Sequence, residues 1–404
     1  MNIYISGISG TGMGPLALMA KAAGHNVSGS DLSKGAIFDE LIKAGIDVNI
    51  SEQDGEFLKK KMEDGVDWFV YTSALPSDHP ELTVAKEAGI KSTKRDDFTA
   101  FLVEELGLKM IAVAGTHGKT TTTSMIVWAA LKLKLPVSYI VGTTLGFAPS
   151  GAYHEGDKFF VYEADEYDRN FLEFHPWLAV IPAISYDHPD IYPTRGDYEK
   201  AFRQFMSQSE NVVHKPLTTE FKIAGEVRRL DAGLAAEAIK KASPELETAK
   251  IIEVLNEFPG VGRRFERLAE GIYTDYAHHP EEIAATMDVA RDEAEMRGCK
   301  GIVVVYQPHQ NTRQHEVAEG YYDSFVGAEK IFWLPTYLTR ENPDLPVLSP
   351  HDLIEKLANA DAAEPAEIND ELFDTLMKYR DDGYLVLLMT AGPADGWLRE
   401  KLGL

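Results

Sequence analysis

Met110–Thr123 reads MIAVAGTHGKTTTT, and the order of its parts sets the architecture of this chain. An apolar strand, Met110–Ala114, runs into a loop with glycines at 115 and 118, then a lysine and four threonines that open a helix over Thr120–Leu133. Glycines let backbone amides of such a loop turn toward phosphate oxygens, and the following helix adds its positive N-terminal end. Gly115, Thr116, His117 and Gly118 would form the cradle, and Lys119 would reach the β- and γ-phosphates of a nucleotide. Thr120 or Thr121 would offer a hydroxyl to Mg²⁺. The loop is shorter than the GxxxxGK[ST] form, but strand, glycines, lysine and threonine all fall in order.

The same grammar recurs on both sides. At the N-terminus, Ile3–Ser6 is an apolar strand, Gly7–Gly14 (GISGTGMG) a glycine loop, and Pro15–Ala23 a helix; a second strand from His25 ends in SGSD at Asp31. That pattern suggests a bound nucleotide diphosphate with Asp31 on a ribose, although a lone glycine fingerprint is weak evidence and a plain tight turn is the alternative. The polar helical stretch Arg95–Leu108 reads as a joint. Beyond the central loop come strands Phe159–Tyr162 and Leu178–Ile184, then helices Tyr198–Ser209, Gly225–Ala242 and Ala249–Phe258. A third unit from Gly260 carries strands Gly271–Asp275, Gly301–Gln307, Lys330–Leu334 and Tyr384–Thr390. Repeated strand–helix alternation predicts an α/β protein of three domains with open, mostly parallel sheets, at 1–107, 108–259 and 260–404.

Bulk properties agree with a globular chain rather than a disordered one. The 404 residues are 44% hydrophobic, and 64 acidic against 40 basic residues leave a net charge of −24. Such a charge repels nucleic acid, so positive potential for an anionic substrate must be concentrated locally. One cysteine, Cys299, excludes an intrachain disulfide and a cysteine-based zinc cluster. With no signal-peptide pattern and no run of ~18 apolar residues, the expectation is a soluble cytoplasmic protein with no membrane partner.

Further polar clusters fall at strand ends, where open α/β sheets place ligands. VYEADEYD (Val161–Asp168) packs four acids, Glu163, Asp165, Glu166 and Asp168, into six positions. One of them would bind the Mg²⁺ that bridges ATP phosphates, the alternative being a solvated acidic turn. ISYDHPD brings His188, a candidate for a second metal or the γ-phosphate. GVGRRFERL with TDYAHHPEE offers an arginine pair and Asp275 as a clamp for phosphates and ribose, and YQPHQNTR adds His309 and Arg313.

Taken together, GISGTGMG, SGSD, TSALPSDHPEL, AVAGTHGKTTTTS, EADEYDRNFL, GVGRRFE, DYAHHPEEIAAT and QPH resemble the Mur ligases over nearly the whole chain. The resemblance implies a Rossmann-like N-terminal domain, a central P-loop ATPase domain and an α/β C-terminal domain. It also implies an ADP-forming ligase that uses ATP and Mg²⁺. Within the family the chain is most similar to members that add L-alanine to UDP-N-acetylmuramate, with those that add murein tripeptide as the rival. The roles that follow are residue by residue. Gly7, Gly10, Gly12 and Met13 would lie along the UDP diphosphate, Asp31 near the ribose and Ser73 near the uracil. Lys119 and Thr120 would hold phosphates and metal, Glu163 would be the main Mg²⁺ ligand, and His188 would serve a second metal region. Arg264 and Asp275 would grip ATP, while Tyr276, His278, His309 and Arg313 would surround the amino acid.

The implied chemistry is activation of a carboxylate as an acyl phosphate and capture by an amine. Lys119 would stabilise the phosphoryl group, His188 or His278 would assist deprotonation of the amine, Arg313 would aid the amino-acid side, and the C-terminal domain would close against water. Several positions depart from the family pattern. Ala183 stands where Asn is usual, and Gly225-Glu226-Val227-Arg228 lacks the His and Asn that help seat adenine. Gln310 replaces an Arg, TAGPADGW replaces GAGD, and only about fifteen residues separate Ser209 from Gly225, so the central domain is shortened. These departures leave a third alternative open, a nucleotide-binding regulatory homologue without ligase activity.

Overall fold

A computed structural model describes residues 1–72, 75–188, 191–339 and 341–404. Its strands form three sheets. The first joins β1 (Asn2–Ser6), β2 (Asn26–Asp31), β3 (Asp47–Ile50), β4 (Trp68–Tyr71) and β5 (Lys91–Lys94) in the order β3-β2-β1-β4-β5, all parallel. The second contains β6 (Lys109–Val113), β7 (Val137–Ile140), β8 (Gly151–Ala152), β9 (Phe159–Glu163), β10 (Leu178–Val180) and β11 (Asn211–Val213), ordered β11-β10-β6-β9-β7-β8. The third is β12 (Glu266–Ala269), β13 (Ile272–Asp275), β14 (Ile302–Gln307), β15 (Ala328–Trp333), β16 (Ala363–Pro365) and β17 (Leu385–Thr390), ordered β12-β13-β17-β14-β15-β16. Among the described strands, only the outer pairs β7–β8 and β12–β13 are antiparallel. The expected α/β class with three mostly parallel sheets is what the chain adopts.

The inner strands explain why the sheets are parallel. IVVVYQ (β14) and LVLLMT (β17) are buried at every position, as strands covered by helices on both faces must be. Helix boundaries follow local chemistry. In Pro280–Arg297 a proline occupies the first turn, His279 and Glu282 form a reciprocal capping box, and Gly298 ends the helix at φ +67°. Thr194 caps Arg195–Ser207 by accepting the Asp197 N–H.

The chain folds as two compact units. One comprises Met1–Phe221 with Leu230–Pro259, and the other Lys222–Arg229 with Gly260–Leu404. The first two sheets therefore share one unit, and a single apolar cluster runs from Ile3, Leu16 and Phe98 to Ala112, Phe160 and Phe202. Helix Met13–Ala22 explains this: it is buried at Met13 through Ala20, too apolar all round to face water on any side. Gly151 allows that helix to approach, since a Cβ there would lie 2.1 Å from the Pro15 carbonyl. Glu40 fastens the same junction by accepting the Ser150 N–H at 2.9 Å and its hydroxyl at 3.0 Å. Helix Arg95–Glu105, read from sequence as a polar joint, inserts Phe98, Leu102 and Val103 into the shared core. No helix among the described residues is long and apolar enough to cross a membrane.

Candidate active site

Strand order brings three loops together. β6 lies between β10 and β9, so Gly115–Lys119, Glu163–Asp168 and the segment after Val180 leave the same carboxyl edge. The strand expected over Leu178–Ile184 stops at Val180, because the chain then diverges to brace the phosphate loop. The Thr116 N–H donates to the Ala183 carbonyl at 2.9 Å; the Thr116 hydroxyl donates to Ser185 O at 2.6 Å and sits 2.7 Å from the Tyr198 hydroxyl. A Cβ on Gly115 would lie 2.7 Å from Ala183 O, so the close approach requires glycine. Gly118 adopts φ +81°, and a Cβ there would meet Asp231 Oδ1 at 2.6 Å.

The helix opens at Lys119. Its ammonium donates to Gly115 O at 2.6 Å and to both Glu166 oxygens at 3.0 and 2.8 Å. The Thr120 hydroxyl donates to Glu163 Oε2 at 2.9 Å, while Glu163 Oε1 accepts the Gly142 N–H at 3.0 Å. Thr122 donates to Asp231 Oδ1 at 3.0 Å. Thr120 and Glu163, each expected at the metal, are thus hydrogen-bonded to one another, and Thr121 and His117 lie in the same loop and first turn.

The four acids separate into different environments. Glu163 and Asp165 line a cavity, Glu166 is buried, and Asp168 turns outward to pair with Lys94 at 3.1 Å. His188 faces Glu166 rather than Glu163, with Nε2 3.7 Å from Glu166 Oε1, and its ring meets Tyr167 edge-on at 5.2 Å. The Glu166 carboxylate raises the His188 pKa. Burial pushes the Glu166 carboxyl up, but His188 and Lys119 together hold it below the usual carboxylate value. Asp168, Arg169 and His188 all carry positive φ, a concentration of strained non-glycine backbone around one buried ion pair. Among the described residues no group of three or more His, Cys, Asp and Glu side chains gathers as a metal cage. The Thr120–Glu163 pair nonetheless suits Mg²⁺, which is usually held by one or two protein oxygens with phosphate and water completing its shell.

The N-terminal glycine loop is braced differently. Gly7 N–H and Ile8 N–H donate to Ser30 O at 2.8 and 3.0 Å. Asp31 accepts the Ser9 N–H at 2.9 Å and the Ser33 N–H at 3.3 Å. Beneath the loop the buried Glu81 carboxylate collects the hydroxyls of Tyr4, Ser6 and Ser30, each at 2.6 Å. Gly10 closes the turn by donating to Gly7 O, and the Met13 N–H donates to Gly10 O. At Gly12, a Cβ would fall 2.5 Å from Arg95 Nη1. Ser73, expected near a uracil, lies outside the described residues.

A cavity of about 210 Å³ joins the two loops, with Thr11, Gly12 and Arg95 on one side and Lys119, Glu163 and Asp165 on the other. Arg95 is held by Asp96 at 3.1 Å, and Asp96 accepts the Tyr162 hydroxyl at 2.5 Å, so the cation is tied to the residue preceding Glu163. Sequence reasoning did not single out Arg95, Glu166 or Asp231. Arg95 and Glu166 were visible only as members of charged runs, and Asp231 sits in an alanine-rich helix far along the chain.

In the C-terminal unit the neighbouring strands β13, β17 and β14 gather the remaining residues. Asp275 is buried, with one oxygen accepting Phe265 N–H and the other Ala277 N–H, each at 2.7 Å, so its carboxylate organises the loops on which Arg264 and Tyr276 stand. Burial raises its pKa against the pull of Arg264. Arg264 lies 5.5 Å from the Tyr276 ring, and Arg263, closer at 4.5 Å, also donates to Thr390 O. Tyr276 meets His278 edge-on at 5.5 Å, His278 meets His309 at 5.7 Å, and His309 Nδ1 is 3.1 Å from Arg313 Nη1. The four residues expected around an amino acid are therefore contiguous. Burial holds the His278 pKa below its ordinary value.

A lysine-bearing glycine loop with a threonine–glutamate pair faces a second glycine loop across one cavity, the layout of a nucleotide-dependent enzyme. Three family models cover the chain in order: "Mur ligase family, catalytic domain" over residues 2–105, "Mur ligase middle domain" over 113–220, and "Mur ligase, glutamate ligase domain" over 263–392. The UDP-N-acetylmuramate–L-alanine ligase of Clostridium tetani is 31% identical over 448 aligned positions, covering 96% of this chain and 95% of that protein. A Campylobacter jejuni enzyme of the same name is 30% identical over 386 positions, covering 85% and 87%. The crystal structure of the UDP-N-acetylmuramate–alanine ligase of Thermotoga maritima matches with TM-score 0.78 at 22% identity, covering 100% and 98%. A murein peptide ligase from Psychrobacter arcticus has the same fold, with TM-score 0.62 at 20% identity over 100% and 98%. The chain belongs to the Mur ligase family, ATP-dependent amide-bond ligases of peptidoglycan synthesis. The 448 positions aligned with the C. tetani enzyme exceed the 404 residues here, so that relative carries stretches this chain lacks.

Proposed function

We propose that this chain joins L-alanine to UDP-N-acetylmuramate through an acyl phosphate, using ATP and Mg²⁺. The observation that carries the reading is the cavity in which Gly12 and Arg95 face Lys119, Glu163 and Asp165. It is supported by the names of the curated relatives, which span nearly the same length. Residues 1–107 would hold the sugar nucleotide, with Gly7, Gly10, Gly12 and Met13 along its diphosphate and Asp31 setting the loop. Residues 108–259 would hold ATP, and 260–404 the amino acid.

In the first step a carboxylate oxygen of the muramoyl group attacks the γ-phosphorus and ADP leaves. Amides of Gly115–Gly118 and the Lys119 ammonium stabilise the charge that spreads over the transferring group. Thr120 and Glu163 would hold Mg²⁺, which supplies neutralisation of phosphate charge, and His188 would serve the same region. In the second step the neutral amine attacks the acyl carbon, the carbon–oxygen bond to phosphate breaks, and the amine proton passes to a base. His278, kept neutral by burial, is suited to accept it, with Tyr276, His309 and Arg313 orienting the amino acid.

Phosphate release from ATP in the presence of UDP-N-acetylmuramate and a panel of amines tests the reading. L-Alanine should give the highest kcat/KM. Turnover driven by murein tripeptide or another amino acid would reassign the donor, and no amine-dependent turnover at all would mark a non-ligating homologue.

A further inference from the structure

Glu166 has no part in the steps above, yet it is the centre of the site's charge. Its side chain is 1% exposed, and both carboxylate oxygens accept from Lys119. An ammonium has three protons. With the third directed at Gly115 O, Lys119 is saturated by its own surroundings. Nothing loose holds Glu166 in place: its backbone carbonyl accepts the Tyr192 hydroxyl at 2.6 Å and the Arg169 N–H at 3.1 Å. The Tyr198 hydroxyl stands 3.5 Å from Oε1, on the same ring that Thr116 touches from the phosphate loop. The turn after it is held through Asp168 and Arg169 at φ +53° and +60°, conformations that side chains adopt only when surrounding contacts impose them.

A polyphosphate that uses Lys119 must take at least one of these bonds, and it brings negative charge toward a buried carboxylate. We propose that Glu166 is the exchange partner of Lys119, a positioning residue that aims the ammonium across the loop and yields it to the nucleotide, trading nucleotide affinity for placement during phosphoryl transfer. This rests on the reading of Gly115–Thr120 as the ATP site. Glu166 touches neither the attacking carboxylate nor the amine; it acts through Lys119.

Calorimetric ATP binding and steady-state kinetics on the full chain test it. Glu166→Gln keeps size and hydrogen-bonding groups but removes the charge. It should bind ATP about tenfold more tightly, the scale of one charged hydrogen bond, while kcat falls about tenfold. The KM for UDP-N-acetylmuramate should not move, whereas a collapsed loop would weaken both substrates. Glu166→Asp keeps the charge but shortens its reach, so it should bind ATP no more tightly than the parent and still lose kcat. The proposal is overturned if Glu166→Gln binds ATP equally or more weakly, if it retains kcat, or if Glu166→Asp tightens binding as the glutamine does. A parent chain that takes up no ATP would sink the nucleotide reading itself and the exchange with it; a parent that binds, with an unaltered glutamine variant, would sink the exchange alone.

Discussion

The two glycine loops of the first compact unit, Gly7–Gly14 and Gly115–Lys119, use one backbone device for opposite electrostatic ends. Each follows an inner strand of a parallel sheet and enters a helix, β1 in one case and β6 in the other. The N-terminal loop contains no cation. It is tied by amides donating to Ser30 O and Asp31, and positive charge reaches it from another element, through Arg95 beside Gly12. The central loop carries its own cation, Lys119, paired with Glu166, while Glu163 and Asp231 accept the hydroxyls of Thr120 and Thr122 in the helix that follows. A fixed diphosphate needs only a shaped rim of donors, whereas a phosphoryl group in transfer needs a charge that is mobile and already counterbalanced. On the proposed reading, the difference between the loops is the difference between holding a substrate and reacting with one.

The contrast can be broken experimentally, most severely at the lysine. Lys119→Ala should lower kcat by on the order of 10³-fold while UDP-N-acetylmuramate binding is retained. Steady-state kinetics with each substrate varied would expose any loss shared by both loops. Arg95→Ala should do the converse, raising KM for the sugar nucleotide by roughly tenfold or more with ATP binding kept, since it removes one charged contact from the N-terminal rim. If ATP binding falls equally, the loops are not separable. A third comparison uses added methyl groups. Gly118→Ala combines φ +81° with a Cβ against buried Asp231 and should cost about 1–3 kcal/mol in denaturant unfolding. Gly12→Ala has ordinary backbone angles and meets only the Arg95 side chain, which can shift at the loss of part of its Asp96 contact, so it should cost less, about 1 kcal/mol or under. Equal costs would mean that the two loops are equally constrained.

The smallest effect should come from pH, and from the unit that holds neither loop. Burial lowers the His278 pKa, so the folded state favours the neutral ring. Its contribution to stability is complete above the ordinary histidine value of 6.5 and is lost as pH falls through the folded-state value. The urea midpoint of the parent should therefore drop more between pH 7.5 and 5.5 than that of His278→Gln. Identical slopes would remove His278 as the cause.

Much of this was readable in advance because the signals are local. Apolar runs such as MIAVA announced parallel strands, and glycine spacing announced both loops. Less visible were features that depend on distant partners. Glu166 differs from its three neighbouring acids through its burial against Lys119, Tyr192 and Tyr198, partners that no acid spacing reveals. Asp231 acquires meaning only where its helix passes beneath Gly118. Helix Asp370–Asp381 was passed over although Asn369 caps it and Leu372 and Leu376 share its buried face, a signal masked by charged residues between them. The shared core of the first two sheets was also foreshadowed, by a first helix that has no polar side to turn outward.

Oxygen tracing would judge the proposed reaction most directly. UDP-N-acetylmuramate labelled with ¹⁸O in its carboxylate should, on turnover with ATP and L-alanine, pass one labelled oxygen into each inorganic phosphate released, because that oxygen must bridge carbon and phosphorus before the amine displaces it. Inorganic phosphate without label, formed at the rate of product, would contradict activation of the sugar acid in the cavity between the two loops.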